Sequence, residues 1–257
     1  MTIKLGLIQG IIAEDLKRDY WPTVSALAAL GYRALEVYSG PAGDNQKDTL
    51  KRLRDLGLTV IAHPASKDAL EKDPDAVAAA AKAVDATYVM LYWLPSHESL
   101  QQLKRTAEFL ERAGKKLAAH GLKFCYHNHD FEFKKPLDGK SQLDLLLENT
   151  SPGNVYVELD IGWATYAGAD PAAFLARWAG RVPVVHVKDF VSTEPPPRFT
   201  AVGTGILQLR RCLEAVQRTE VDWAMVEQDK PNILTPMETV TACILNIREL
   251  GFLPPPR

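Results

Sequence analysis

The stretch Phe124-Cys125-Tyr126-His127-Asn128-His129-Asp130 places two of the chain's six histidines where an apolar run turns polar. Leu122 to Tyr126 are apolar, aromatic or small apart from Lys123, and charged residues follow. Read as a β-strand, the segment puts His127 and His129 on one face, about 6–7 Å apart. A buried strand that emerges into a loop with coordinating side chains at its end is where α/β proteins carry out chemistry.

Outward from this stretch the same unit recurs. Strand-like runs cover residues 3–9, 35–38, 59–62 and 88–93 before it, and 155–160, 182–188 and 223–228 after it. Apolar residues at helical spacing cover 14–30, 50–56, a long region with the alanine-rich run from Ala76, 96–120, 171–178, 209–218 and 237–250. Gly31, Gly57 and Gly121 stop three of these helices, and Ser96, with Ser99 nearby, caps the helix over 96–120. Eight strands alternating with helices, with no low-complexity linker and no compositional shift, predict one α/β domain over residues 1–257, a closed (β/α)8 TIM barrel. The competing architecture is an open doubly wound sheet. Against it, no strand-to-helix turn carries a Gly-x-Gly-x-x-Gly or Walker-type loop, and Gly203-Thr-Gly205 lacks that context. Pro195-Pro-Pro197, in the longest loop after the seventh strand, reads as a lid or wall, and Pro254-Pro-Pro-Arg257 as a frayed, non-helical tail.

Lys and Arg number 30 against 32 Asp and Glu, a net charge of -2, so nucleic acid and acidic membranes are poor partners and a small neutral molecule is the better one. No apolar run approaches the roughly 20 residues of a membrane span. Cys125, Cys212 and Cys243 are odd in number and lie in apolar periodic segments, which predicts buried thiols in a reducing compartment. With an N-terminus that passes directly into a strand, a cytoplasmic location is expected.

In a barrel the strand C-termini face the active site. The polar residues there are Glu36 (second strand), His63 (third), His127 and His129 (fifth), Glu158 and Asp160 (sixth), His186 and Lys188 (seventh), and Glu227 and Asp229 (eighth). Four nitrogen and oxygen ligands from neighbouring strands suit a divalent ion such as Mn, Mg, Co or Zn, with positions open for substrate oxygens.

Three of these strand ends, Val184-Val-His186-Val-Lys188-Asp189, Val157-Glu-Leu-Asp160-Ile-Gly-Trp163 and Met225-Val-Glu227-Gln-Asp229, resemble the xylose-isomerase-like TIM barrels grouped as sugar phosphate isomerases/epimerases. That family includes ketose 3-epimerases, inosose isomerases and inosose dehydratases, and the resemblance spans nearly the whole chain. It implies metal ligation by Asp160, His186 and Glu227. The family's fifth-strand glutamate does not carry over, because His127 occupies its place. A symmetric exchange of a proton between two carboxylates is therefore not expected. The expected activity is a metal-dependent isomerase or epimerase acting on a sugar or cyclitol through an enediolate or enolate, with Glu227 and His127 as catalytic residues. The Tyr-His-Asn-His stretch looks most like the inosose dehydratase branch, so dehydration of a keto-cyclitol or keto-sugar is the alternative.

Other residues keep two readings. His129 is a substrate contact or replaces His127 at the metal. His63 is a substrate contact or a hydrogen-bonded structural residue. Lys188 holds a substrate oxygen or serves as an ion-pair partner. Glu158 is a ligand or, the preferred reading, a buried partner of an imidazole or of Lys188. Trp163 forms an apolar wall against a sugar ring, while Trp93 and Tyr38 belong to wall or core. His97 and His120 read as solvated, and Asp189 and Asp229 as capping or supporting groups. No Gly-rich anion cradle supports a phosphate site. Two further classes are a metal-dependent abasic-DNA endonuclease, disfavoured by charge and ligand number, and a non-catalytic sugar-binding barrel. Pairing of two copies stays open, since no patch marks an interface.

Overall fold

The barrel is built from short parallel strands whose side chains alternate between an inner stack and an outer layer covered by helices. The computed structural model describes residues 2–230 and 232–255. In chain order it contains β1 (Leu5–Leu7), a 3-10 turn (Gln9–Ile12), α1 (Ala13–Arg18), α2 (Tyr20–Leu30), β2 (Ala34–Val37), α3 (Gln46–Asp55), β3 (Thr59–Pro64), α4 (Lys67–Lys72), α5 (Pro74–Ala83), β4 (Tyr88–Leu91) and α6 (Leu100–Ala119). These are followed by β5 (Lys123–His127), α7 (Phe131–Lys134), α8 (Gln142–Glu148), β6 (Val155–Asp160), α9 (Ile161–Tyr166), α10 (Pro171–Arg177), β7 (Val184–Val187), β8 (Asp189–Phe190), β9 (Phe199–Thr200), α11 (Leu209–Arg218), β10 (Trp223–Val226) and α12 (Pro236–Glu249).

The barrel closes in the order β1-β10-β7-β6-β5-β4-β3-β2, with β8 and β9 as a separate antiparallel pair. The chain is therefore one (β/α)8 TIM barrel. The closed ring excludes the open doubly wound alternative. The main core lies between sheet and helices, where Leu103, Ala107, Leu110 and Leu117 of α6 pack in one cluster with Phe124, Tyr126, Val155 and Val157. A smaller cluster with Tyr88, Met90, Cys125, Val184 and Met225 fills the barrel interior. All three cysteines are buried and unpaired. Among the described residues no helix is long and apolar enough to cross a membrane.

Several boundaries differ from the sequence expectation, each for a local reason. The helix over 14–30 is two helices broken at Asp19, because Pro22 can neither bond to nor fit against the carbonyl of Arg18. Ser99 caps α6, accepting from Gln102 N at 3.3 Å, while Ser96 Oγ instead accepts from Lys135 Nζ at 3.2 Å. The link from β5 to β6 holds α7 and α8, with Ser141 as the cap of α8. β5 stops at His127, so His129 lies in the following loop rather than on the strand. Pro195, Pro196 and Pro197 lie in the exposed connection between β8 and β9. Of the C-terminal tail, Pro254 and Pro255 are non-helical, and Pro256 and Arg257 lie outside the described residues.

Gly114 lets α6 approach the start of β6: a Cβ there would stand 2.1 Å from the carbonyl oxygen of Asn154. Gly114→Ala is expected to destabilise the fold by about 1–3 kcal/mol, lowering the thermal midpoint by about 2–4 °C per kcal/mol. Gly153→Ala, with nothing within 4 Å, is expected to leave the midpoint unchanged. Calorimetry of the two variants checks the pair.

Candidate metal centre

The period of two along each strand sorts the inner residues into apolar side chains below and coordinating ones above. Cys125 precedes His127 on β5, Val184 precedes His186 on β7, and Met225 precedes Glu227 at the end of β10. Register sets His127 beside Glu158 and Asp160 beside His186. As a result His127, Asp160, His186 and Glu227 offer one donor atom each within 4.8 Å of one another. Asp160 and His186 are fully buried, His127 nearly so, and the Glu227 side chain keeps 14% exposure toward the mouth.

Carboxylates behind the two imidazoles orient them. His127 Nδ1 lies 3.0 Å from Glu158 Oε2, and His186 Nε2 lies 2.6 Å from Glu36 Oε2 and 3.1 Å from Glu158 Oε1. Tyr92 donates to Glu36 Oε1 at 2.6 Å, fixing that carboxylate in turn. With the protons assigned by these partners, His127 Nε2 is turned toward Asp160 Oδ2 at 3.8 Å and His186 Nδ1 toward Glu227 Oε2 at 2.7 Å. Such backing fixes which nitrogen faces a cation. Glu158 thus contacts both imidazoles, the geometry of a supporting partner.

Asp160 is divided between two tasks. Its Oδ1 accepts from Trp163 N at 2.8 Å and caps α9, while Oδ2 points into the site. Asn128 holds the strand end by accepting from Asp160 N at 2.9 Å and reaching Asp160 O at 3.4 Å. Lys188 is buried beneath α9, with Nζ 2.9 Å from Asp160 Oδ2, 2.7 Å from Glu227 Oε2 and 2.6 Å from Asp229 Oδ2. Gly162 permits this approach, since a Cβ there would lie 2.3 Å from Lys188 Cγ. In this arrangement Lys188 is an ion-pair partner.

Burial among neighbouring carboxylates raises the proton affinity of Glu158 and Asp160. Burial, reinforced by Glu36, pushes Glu158 up to about 8, and burial opposed by Lys188 pushes Asp160 up to about 6. Burial also acts to raise Glu227, but Lys188 and His186 outweigh it and hold that carboxyl well below the usual range. Against burial, Glu158, Glu36 and Glu227 raise His186 well above an ordinary imidazole. Burial, then His186, keep His127 well below, and so neutral. Asp160 Oδ2 and Glu158 Oε1 are buried without a hydrogen-bond partner, although Lys188 Nζ and His186 Nε2 stand close. Two imidazoles and two carboxylates offering donor atoms within 4.8 Å of one another fit a hard or borderline divalent cation.

His129 is outside the four-residue set. Its ring stacks on Phe131 at 5.8 Å, lies 5.2 Å from that of His127 and 6.1 Å from Trp163, and its Nδ1 is buried without a partner. Trp163 packs with Tyr166, Phe190 and Phe199, forming an aromatic wall at one side of the mouth. His63 sits on β3, half-buried, and its imidazole makes no hydrogen bond or ion pair among the described residues. Trp93 is 60% exposed and so not core. The expectation of a solvated His97 is corrected: it is buried, bonded to Gln142 and Thr106 at 2.8 Å each, because α8 packs over it. His120, partly exposed, pairs with Asp75 at 2.7 Å. Asp189 accepts the backbone N–H groups of Phe190, Gly203, Gly205 and Leu207, tying down the loop after β9. Asn128, Tyr92 and Glu132 were not marked by the sequence; the Asn128 position inside the His-Asn-His stretch was its one available signal.

The profile of the xylose isomerase-like TIM barrel family matches residues 24–243. The chain belongs to that family. It is 26% identical over 170 residues to an inosose dehydratase of Clostridium beijerinckii, covering 59% of this chain and 56% of that protein. The chain thus spans about half the length of the curated relatives it matches. A sugar phosphate isomerase/epimerase structure from Parabacteroides distasonis superposes with a TM-score of 0.84 at 21% identity, covering 99% of this chain and 98% of that one. The IolI protein structure with a bound zinc atom has a TM-score of 0.73 at 13% identity, covering 96% and 98%. At such identities the likeness shows the fold.

Glu132 anchors the loop that carries His129, accepting from Tyr126 Oη and from His129 N. Burial pushes its carboxyl up to about 7. A folded value above the unfolded one means that its contribution is complete below the unfolded value near 4.5 and is lost as pH rises through about 7. Urea unfolding between about pH 5 and 8 is expected to show wild type losing up to about 3 kcal/mol relative to Glu132→Gln as pH rises. Parallel curves for the two proteins would rule the assignment out.

Proposed function

We propose that this xylose isomerase-like barrel is a divalent-metal enzyme that removes the proton α to the carbonyl of a keto-sugar or keto-cyclitol and then expels a β-hydroxyl as water. The observation that carries the reading is the convergence of His127, Asp160, His186 and Glu227 donor atoms within 4.8 Å. These four residues would hold the ion, whether Mn, Mg, Co or Zn. When bound, it polarises the carbonyl and lowers the barrier to enolate formation.

Glu227 is the base. Its Oε2 is engaged by His186 Nδ1 and Lys188 Nζ, each at 2.7 Å, whereas Oε1 has no hydrogen bond or ion pair among the described residues. Oε1 takes the α-proton, the C–H electron pair forms the enolate, and collapse of the enolate breaks the β C–O bond. The proton held by Glu227 passes to the departing hydroxyl, so one C=C bond forms and one water leaves without any redox change. A single base suffices for elimination. Epimerisation needs a proton delivered to the opposite face, and the family resemblance implies His127 in place of a second carboxylate. His129, with an unpartnered Nδ1, accepts from a substrate hydroxyl, and the Trp163 wall covers the apolar side of the ring. Lys188 holds Glu227 ionised and adds positive charge beside the substrate oxygens.

A second reading keeps the same base. Glu227 can return its proton to the adjacent carbon on the same face, which is ketose–aldose isomerisation and likewise needs one carboxylate. Ketoses and inososes incubated with the metal-loaded chain in deuterated water are expected to give a conjugated enone by ultraviolet absorbance and NMR. A rearranged sugar without enone would assign the isomerase instead. Glu227→Gln is expected to lower kcat/KM roughly 100- to 10,000-fold, and near-normal turnover of every accepted substrate by that variant would overturn the base assignment.

A further inference from the structure

Around the barrel the four-residue set is a row of neighbours: His127 beside Asp160, Asp160 beside His186, and His186 beside Glu227. Main-chain hydrogen bonds fix the last two contacts. Asp160 and His186 are partners in the β6–β7 ladder, and the N–H of Glu227 donates to the carbonyl of Val187, the residue after His186, at 3.1 Å. The first contact has no such rung, because the β5–β6 ladder ends with His127 opposite Glu158 and the chain then leaves the sheet.

Asp160 nevertheless needs a partner on that side. Successive N–H groups along a strand point alternately to its two neighbours. Val157 donates to the carbonyl of Arg181, on the β7 side, so the N–H of Asp160, of opposite parity, turns toward β5. What meets it there is a side chain. Asn128 is fully buried, its Oδ1 accepts from Asp160 N at 2.9 Å, and its Nδ2 lies 3.4 Å from Asp160 O and 3.2 Å from His129 O. An N–H can only donate, so the amide atom facing it is the oxygen. A carboxamide carries the donor and the acceptor of a peptide group, and here it takes the place of one.

Asp160 is thereby held at its N–H and its carbonyl by Asn128 and at Oδ1 by the N–H of Trp163, which leaves Oδ2 for a cation. His127 Nε2 stands 3.8 Å from that oxygen, on the residue directly before Asn128. We infer that Asn128 is a positioning residue for the metal: its amide closes the open rung between β5 and β6 and so sets the separation of His127 and Asp160.

This role rests on the proposed metal centre, and it is tested by binding rather than turnover. Zinc affinity is measured by competition calorimetry, and the visible absorption of the cobalt-loaded chain reports the ligand geometry. Asn128→Leu removes both amide bonds at similar volume; it is expected to weaken zinc binding about 10- to 100-fold and to alter the cobalt spectrum. Asn128→Asp keeps an acceptor for Asp160 N and is expected to retain the wild-type spectrum. Thermal melts establish that each variant is folded, and should Asn128→Leu fail to fold, Asn128→Ala carries the same expectation. A folded Asn128→Leu or Asn128→Ala with wild-type zinc affinity and the wild-type cobalt spectrum would overturn the inference alone. Absence of zinc binding in wild type would remove the metal centre, and the role of Asn128 with it.

Discussion

The structure depends on how negative charge is tolerated at the top of the barrel. Glu36, Glu158, Asp160 and Glu227 gather around one buried imidazole and one buried ammonium, His186 and Lys188. An unpaired buried carboxylate costs several kcal/mol, and removal of one member of a buried pair costs about 3–5 kcal/mol. The fold meets that constraint with fixed partners: Tyr92 on Glu36, the N-terminus of α9 on Asp160, and Lys188 between three carboxylates. What remains is a surplus of oxygen donors, visible in the raised proton affinity of Glu158 and Asp160. A divalent cation relieves the same surplus.

Much of this was legible because a barrel strand writes its inner face every second residue. Glu158 with Asp160, and His186 with Lys188, are pairs two apart at strand ends, so the alternation that builds the barrel also displays the donors. The eight strand cores were readable for the same reason, being apolar runs bounded by turns. His129 broke the pattern: it shares the parity of His127, but Asn128 bonds to Asp160 and the chain leaves the sheet. Contacts across the ring were not readable. The pairing of Glu36 with His186 joins residues 150 apart in sequence, and no local spacing records it. The burial of His97 was hidden likewise, since it depends on Gln142 from a helix that carries no strong periodic signal.

The same geometry bears on the choice of reaction. Glu227 is the one carboxylate of the four-residue set with an oxygen unengaged at the mouth, and an imidazole stands across from it. On the proposed reading, that asymmetry suits a reaction that needs a single base. The inosose dehydratase relatives are consistent with it, although they match over about half their length, and the solved structures share the fold at low identity.

The central claim is that two imidazoles and two carboxylates from four strands hold one divalent ion. X-ray absorption at the zinc edge of the zinc-loaded chain tests it most directly. The account predicts one ion per chain, two imidazole nitrogens at about 2.0–2.1 Å with carboxylate oxygens and no sulfur, and loss of one imidazole contribution in His127→Ala. A spectrum without imidazole scattering, or one unchanged by His127→Ala, would contradict it.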